Sequence, residues 1–360
     1  MKRCTKCIRP ETHKAIRFDS DGVCNFCRLY EKRWRKYIDS PDEQYAKNQL
    51  ELKKAIEKEK RKGNKYHAIL GISGGKDSAY ALYLMKEKYN ANVLTFTMAS
   101  EFYVDEAREN VKKIVKLFDT DHIFTEGPSN GLFAQSLKKT GRPCYPCVIC
   151  SIQPFTKLAK EHDIGILVSG FSPMTDGMDP EGTSPWFVKN FSRESNISAI
   201  REEGNMLYKG SFSYMLKTLM GKLKLFDLGA YFPWDDDAIR AFFKKEYNIS
   251  FGLEHSDCGL HELAGLCAVK KYGFTLNMSK YSKYILLGRM TRDEALKNIE
   301  TENKALLNAS GFEKESIDSA LKKINVTKEE LENSYCIDDS RFRRGLLNKI
   351  VDYYRTNFYA

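Results

Sequence analysis

Short apolar runs alternate with amphipathic stretches through the middle of the chain. HAILGI (67–72) is a brief apolar run ending in glycines, the pattern of a buried strand. Residues Asp77 to Lys88 follow with helical spacing at Ala81, Leu82 and Met85. NVLTFTM (92–98) predicts a second strand, Val104 to Phe118 a second helix, and DHIFTE (121–126) a third strand. Residues 151–161 read as a helix and IGILVSG (164–170) as a further strand. This β-α-β-α-β rhythm predicts an α/β fold with a doubly wound parallel sheet.

The flanks differ. Residues 31–64 read as one polar helix with Leu50, Leu52 and Ile56 as sparse anchors, broken by KGNK at 62–65. Met206 to Lys224 reads as a helix carrying Lys209, Lys217, Lys222 and Lys224, either packed or facing an anionic acceptor. Beyond about 235 the pattern is mostly helical, with capping boxes at Thr291/Glu294 and Thr327/Glu330. The expected division is 1–30, a cysteine-bearing ribbon; 31–65, a connecting helix; 66–230, the α/β domain; and 231–360, a mostly helical region.

No window approaches 18 consecutive apolar residues, which argues against a membrane span. The opening MKRCTKC lacks the apolar core of a signal peptide, so the expected location is the cytoplasm. The net charge of +10 permits an anionic partner such as a nucleotide, sugar nucleotide or RNA. Much of it is local: residues 28–65 hold 13 basic and 7 acidic side chains, the composition of a solvated helix face.

Ten cysteines in a chain without export signals are expected as reduced thiols, and their clustering points to metal. Cys4-x2-Cys7 and Cys24-x2-Cys27 stand 16 residues apart, the spacing of a zinc ribbon. Four thiolates close a tetrahedral Zn²⁺ site and leave no position for substrate, so the metal is structural. A redox role for one CxxC pair is the alternative. Cys144-Tyr-Pro-Cys147-Val-Ile-Cys150 can ligate an iron–sulfur cluster or zinc, with Cys258, His255 or His261 completing the set. The competing reading is a proline-braced turn with buried structural thiols. Cys150 opens an apolar helix; Cys267 reads as core and Cys336 as incidental.

SGGKDS (73–78) lies directly between a strand and a helix. Such a turn presents free backbone N–H groups and the positive end of the helix dipole to an anion. Gly74 and Gly75 allow close approach of a phosphate, Ser73 and Ser78 offer hydroxyls, and Lys76 offers a point charge. Asp77 is repelled by phosphate, so its role is to hold Mg²⁺ or to cap the helix. Ligands of such sheets bind beyond the carboxyl ends of the strands, which also directs attention to the Ser169–Gly170 turn. The run 170–186, rich in Gly, Pro and Ser, reads as a substrate loop. YFPWDDD (231–237) can bind Mg²⁺ or a sugar; the plainer reading is a helix N-terminus with acids on the dipole.

SGGKDS resembles the signature of the PP-loop ATP pyrophosphatases, which adopt a HUP-like, Rossmann-type fold. They cleave ATP between the α and β phosphates and place AMP on a carbonyl oxygen. The resemblance implies adenine over the Leu70–Ile72 backbone and beside Thr97 and Met98, with Lys76 and Asp77 catalytic. The ribbon with IRPETHKAIRFDSDGVCNFC, then SGGKDS, GRPCYPC, HELAGLCAVKKYGF and GRMTRDEA, together resemble the N-acetyl sugar amidotransferases of bacterial surface-polysaccharide biosynthesis. That resemblance implies ATP, Mg²⁺ and Zn²⁺, a sugar nucleotide or other small acceptor, and ammonia from a partner glutaminase. GFSPMTDG departs from the glycine–glutamate turn expected of those enzymes. Cys150 and the SDC at 256–258 instead resemble PP-loop thiolases, which would make Cys144 and Cys147 catalytic, with tRNA or a small molecule as acceptor.

Overall fold

The computed structural model describes residues 2–12, 16–176, 185–252 and 257–343. Five strands form one wholly parallel sheet: β1 (Ala68–Gly71), β2 (Val93–Ala99), β3 (His122–Glu126), β4 (Ile166–Ser169) and β5 (Lys224–Asp227). The spatial order is β3-β2-β1-β4-β5. This is the doubly wound arrangement expected from the hydrophobic pattern. The chain winds outward from β1 on both sides, so a crevice opens at the carboxyl ends of β1 and β4.

Helices cover both faces, and the strand residues alternate accordingly. Ala68, Leu70, Ile166 and Val168 join a core with Leu82, Val111, Phe226 and Phe243. Ile69 and Leu167 point the other way, into Leu94, Phe96 and Leu158. Burial on both sides explains why these strands read as continuous apolar runs.

Five elements differ from the expectation. β5 has no separate strand signal, being only four residues with Leu225 and Phe226 as its apolar content. The helix before it runs Ser198–Leu219 and stops at a turn where Gly221 takes φ +67, so Lys224 is in the strand. The polar stretch after the ribbon is two helices, Asn25–Asp39 and Pro41–Lys60. Pro41 cannot donate a helical N–H and starts the second helix instead. Within that helix Leu52 and Ile56 are buried and Leu50 is exposed. The helix after the phosphate loop is α-helical over Lys76–Tyr83 and continues as a π turn over Leu84–Lys88. Finally, Cys150 ends the helix Tyr145–Cys150 rather than opening one. Both expected capping boxes are present, at Thr291 and Thr327.

The ribbon docks on the helical C-terminal region. Ile8 is fully buried among Ala268, Tyr272, Phe274 and Ile299. Arg292 donates to the Cys7 and Cys4 carbonyls at 3.2 and 3.3 Å, and Arg9 to Ser279 Oγ at 2.8 Å. Among the described residues no helix is long and apolar enough to cross a membrane.

Candidate active site

The phosphate loop follows β1 and closes on itself. Gly74 adopts φ +85, and a Cβ there would lie 2.3 Å from the Ala107 carbonyl oxygen, so both backbone and space require glycine. Gly75, extended at φ −85 and ψ 165, is the N-cap of Lys76–Tyr83. The serines shape the loop: Ser73 N donates to Ser78 Oγ at 3.2 Å, Ser78 Oγ to Gly75 O at 3.1 Å, and Gly75 N to Ser73 Oγ at 3.3 Å. Tyr103 Oη ties the loop from outside, donating to Ser73 O at 2.8 Å.

Lys76 is only 5% exposed and is held by carboxylates, Asp77 Oδ2 at 2.7 Å and Asp236 Oδ1 at 3.1 Å. Burial alone would depress its pKa, but Asp77 and Asp236 outweigh it and hold the ammonium above its ordinary value. Asp77 does not cap its helix; its second oxygen accepts from Trp234 Nε1 at 2.8 Å. The plainer reading of YFPWDDD, a helix N-terminus, is the one seen. Asp235 is an N-cap, accepting from Ala238 N, while Asp236 turns into the cleft.

The wall opposite comes from the turn after β4. A Cβ on Gly170 would lie 2.4 Å from the Asp77 carbonyl oxygen, so this glycine lets β4 abut the phosphate-loop helix. Ser169 Oγ donates to the half-buried Asp227 Oδ1 at 2.5 Å. Asp176 accepts from Ser172 N at 2.7 Å. Burial pushes its carboxyl up to about 6, and the negative charges of Asp77 and Asp236 add to that. Lys283 donates to the Pro173 carbonyl at 2.9 Å and to the Asp176 carbonyl. The expected loop continues through residues 177–184, which lie outside the described residues.

At the expected adenine position, Thr97 is 2% exposed and gives its hydroxyl to Ile72 O at 2.5 Å, while Ile72 N donates to Phe96 O at 2.8 Å. Met98 packs against the cluster of Leu132, Tyr145 and Phe187. Asp176, Lys280, Lys283 and Arg289 were not singled out from sequence. The acidic triplet at 235–237 was visible, but nothing local says that its middle residue reaches Lys76. The cations sit on an ordinary amphipathic helix, Met278–Leu286, and in the turn just after it.

The four ribbon cysteines are buried, with all four sulfurs within 4.8 Å of one another. Cys4 and Cys27, and Cys7 and Cys24, stand 3.8 Å apart, and Cys24 and Cys27 3.5 Å. A Zn–S bond near 2.3 Å gives a tetrahedral edge of about 3.8 Å, so this cage fits one mononuclear metal. Among the described residues this is the one group of three or more His, Cys, Asp or Glu ligand atoms that meets so closely.

The second cysteine set is brought together more loosely. Burial pushes the Cys144 thiol up to about 12, and Cys258 adds to it while Arg142 opposes. Cys147 is raised well above the ordinary thiol value by burial, then by Cys144 and Cys258. The resting thiols are therefore protonated at neutral pH, and a bound cation would be needed to make them thiolates. Cys258 lies on the strand bridge to Tyr103, the residue that ties down Ser73. His255 lies outside the described residues, and His261 opens the helix His261–Tyr272. Cys150 is buried beside Ile149 and Phe187, Cys267 is core as expected, and Cys336 is exposed.

Residues 48–139 match the NAD synthase family, and residues 242–354 match the C-terminal domain of WbpG-like LPS biosynthesis proteins. The SGGKDS loop thus lies in a segment similar to a PP-loop family, and the C-terminal segment is WbpG-like. An uncharacterized protein of Methanocaldococcus jannaschii is 25% identical over 305 residues, covering 83% of this chain and 93% of its own. Among solved structures, the chain is similar to the U34-tRNA thiolase NcsA from Methanococcus maripaludis with its 4Fe–4S cluster. That likeness has 14% identity, 91% and 89% coverage and a TM-score of 0.33. It is also similar to NMN synthetase from Francisella tularensis, at 13% identity, 76% and 95% coverage and a TM-score of 0.32. The PP-loop segment holds Ser73 to Ser78, and the WbpG-like segment supplies Lys280, Lys283 and Arg289 to the same cleft.

Proposed function

We propose that this PP-loop protein is an ATP-dependent amidotransferase. In this reading it transfers AMP to a carbonyl oxygen of an N-acetylated sugar nucleotide, releases pyrophosphate, and replaces the activated oxygen with nitrogen. The carrying observation is that Asp236 and Trp234, which bond Lys76 and Asp77 of the SGGKDS loop, are themselves held by Lys280 and Arg289 of the WbpG-like segment. The loop supplies N–H groups, a helix N-terminus and Lys76 to the phosphates. Asp77 is the residue that would hold Mg²⁺, whose chemistry here is to neutralise phosphate charge. The ribbon takes Zn²⁺ as a structural ion. Ammonia comes from a partner glutaminase, as the resemblance to the sugar amidotransferases implies.

A second reading rests on the thiols. Cys144, Cys147 and Cys258 lie close enough to influence one another, and Cys258 adjoins Tyr103, which bonds the phosphate loop. Under that reading the activated oxygen is replaced by sulfur, delivered through the thiols or an iron–sulfur cluster, and the acceptor is tRNA or a small molecule. One assay separates the two: the Cys144→Ser/Cys147→Ser/Cys258→Ser variant with ATP, an N-acetylated sugar nucleotide and excess ammonium. The amidotransferase reading expects retained product formation, since ammonia needs no thiolate. A folded, ATP-binding variant that makes no product supports sulfur transfer.

A further inference from the structure

A chain of alternating charges joins the phosphate loop to the C-terminal helices. Asp236 gives one oxygen to each of two cations: Oδ1 lies 3.1 Å from Lys76 Nζ, and Oδ2 lies 2.9 Å from Lys280 Nζ. Tyr284 Oη also donates to Oδ2, at 3.4 Å. The side chains of Lys76, Asp236 and Lys280 are 5%, 15% and 14% exposed, so water screens these pairs weakly. Lys76 follows β1, Asp236 opens the helix Asp236–Tyr247 beyond β5, and Lys280 belongs to Met278–Leu286 in the WbpG-like segment.

A polyphosphate at the loop and Asp236 both require the Lys76 ammonium. Whatever Asp236 contributes to holding Lys76 in the free protein must be given up when phosphate takes that ammonium. Lys280 sets the strength of this hold, because it neutralises the other carboxylate oxygen. With Lys280 in place, Asp236 keeps a cationic partner after Lys76 leaves; without it, release would leave a largely buried carboxylate lacking the Lys280 charge.

We propose that Asp236 and Lys280 are positioning residues through which the C-terminal domain tunes nucleotide affinity: Asp236 holds Lys76 in the free protein, yields it to phosphate, and remains paired with Lys280. The inference rests on the ATP reading above. It also makes affinity depend on the helix Met278–Leu286, which Lys283 fastens to the loop after β4.

The test is calorimetric titration of MgATP into the full, zinc-loaded chain. Asp236→Asn should bind roughly fivefold tighter and Lys280→Met roughly fivefold weaker, the scale of a partly screened ion pair. Lys280→Arg should restore ordinary affinity. Lys280→Met should add nothing in the Asp236→Asn background. A simple field effect would instead make the two changes cancel. Asp237→Asn reports that field, since it removes the same charge from a side chain 98% exposed, and it should change affinity less than about twofold. Thermal melts and zinc content confirm that each variant is folded. Weaker binding by Asp236→Asn, or an additive double variant, overturns the relay and leaves the ATP reading standing. A wild-type chain that binds no MgATP overturns the ATP reading itself.

Discussion

Trp234 Nε1 donates to Asp77 Oδ1 across 2.8 Å, joining residues 157 positions apart. Trp234 is 2% exposed, packs edge-on against Tyr80 at 5.2 Å, and has its carbonyl held by Arg289 at 3.1 Å. The carboxylate beside the phosphate loop is thus aimed by the segment that leads into the C-terminal helices. Trp234→Phe keeps most of the ring volume and deletes the donor. It should cost about 1–2 kcal/mol of stability and lower turnover at saturating ATP several-fold. Thermal melts and initial rates check both; unchanged turnover would reduce the bond to packing.

Gly74→Ala should be worse than its single methyl suggests. The φ of +85 disfavours any L side chain, and the Ala107 carbonyl oxygen lies 2.3 Å from the new Cβ. Stability should fall by about 1–3 kcal/mol, and MgATP binding should be lost. Gly63→Ala is the control, since φ is +74 there but nothing stands within 4 Å of the added carbon. Retained binding by Gly74→Ala would show that the loop can reshape.

The ribbon should carry one zinc per chain, and Cys24→Ser should lose it. Because Ile8 is buried in the C-terminal core and Arg292 bonds the Cys4 and Cys7 carbonyls, the loss should spread beyond the first 30 residues. Metal analysis and hydrogen exchange over residues 261–307 read this directly. Full zinc occupancy in the variant, or unchanged exchange there, would contradict the assignment.

Asp176 gives a pH dependence with a definite sign. Its folded-state pKa of about 6 lies above the ordinary carboxylate range, so the native state binds the extra proton. Its contribution to stability is present below about pH 4 and is lost as pH rises through about 6. The amount is about 2–3 kcal/mol. Asp176→Asn keeps an acceptor for Ser172 N and removes the titration, so its stability should exceed wild type at pH 7 and vary less between pH 4 and 7. Denaturant melts across that range test it; parallel curves for the two proteins would contradict the burial argument.

Much of this architecture was legible because its signals are local. Two-sided burial makes β1, β2 and β4 continuous apolar runs, CxxC spacing marks a tetrahedral cage, and SGGKDS has Gly74 where φ and space demand glycine. β5 was not legible, because a strand of four residues beginning with Lys224 shows no period of its own. The reach of Asp236 from Lys76 to Lys280 was hidden for a different reason. Asp236 and Lys280 meet only through tertiary packing, and each alone is an unremarkable charge on a helix. Thr97, expected beside the adenine, turns its hydroxyl inward to Ile72, an orientation that no short motif encodes.

The central claim is adenylation at the cleft between β1 and β4. Phosphorus NMR during turnover with ATP, Mg²⁺, ammonium and an N-acetylated sugar nucleotide tests it most directly. AMP and pyrophosphate should accumulate in equal amounts, and Lys76→Ala should slow both by roughly a hundredfold. Accumulation of ADP and inorganic phosphate, or AMP formation that survives the loss of Lys76, would contradict it.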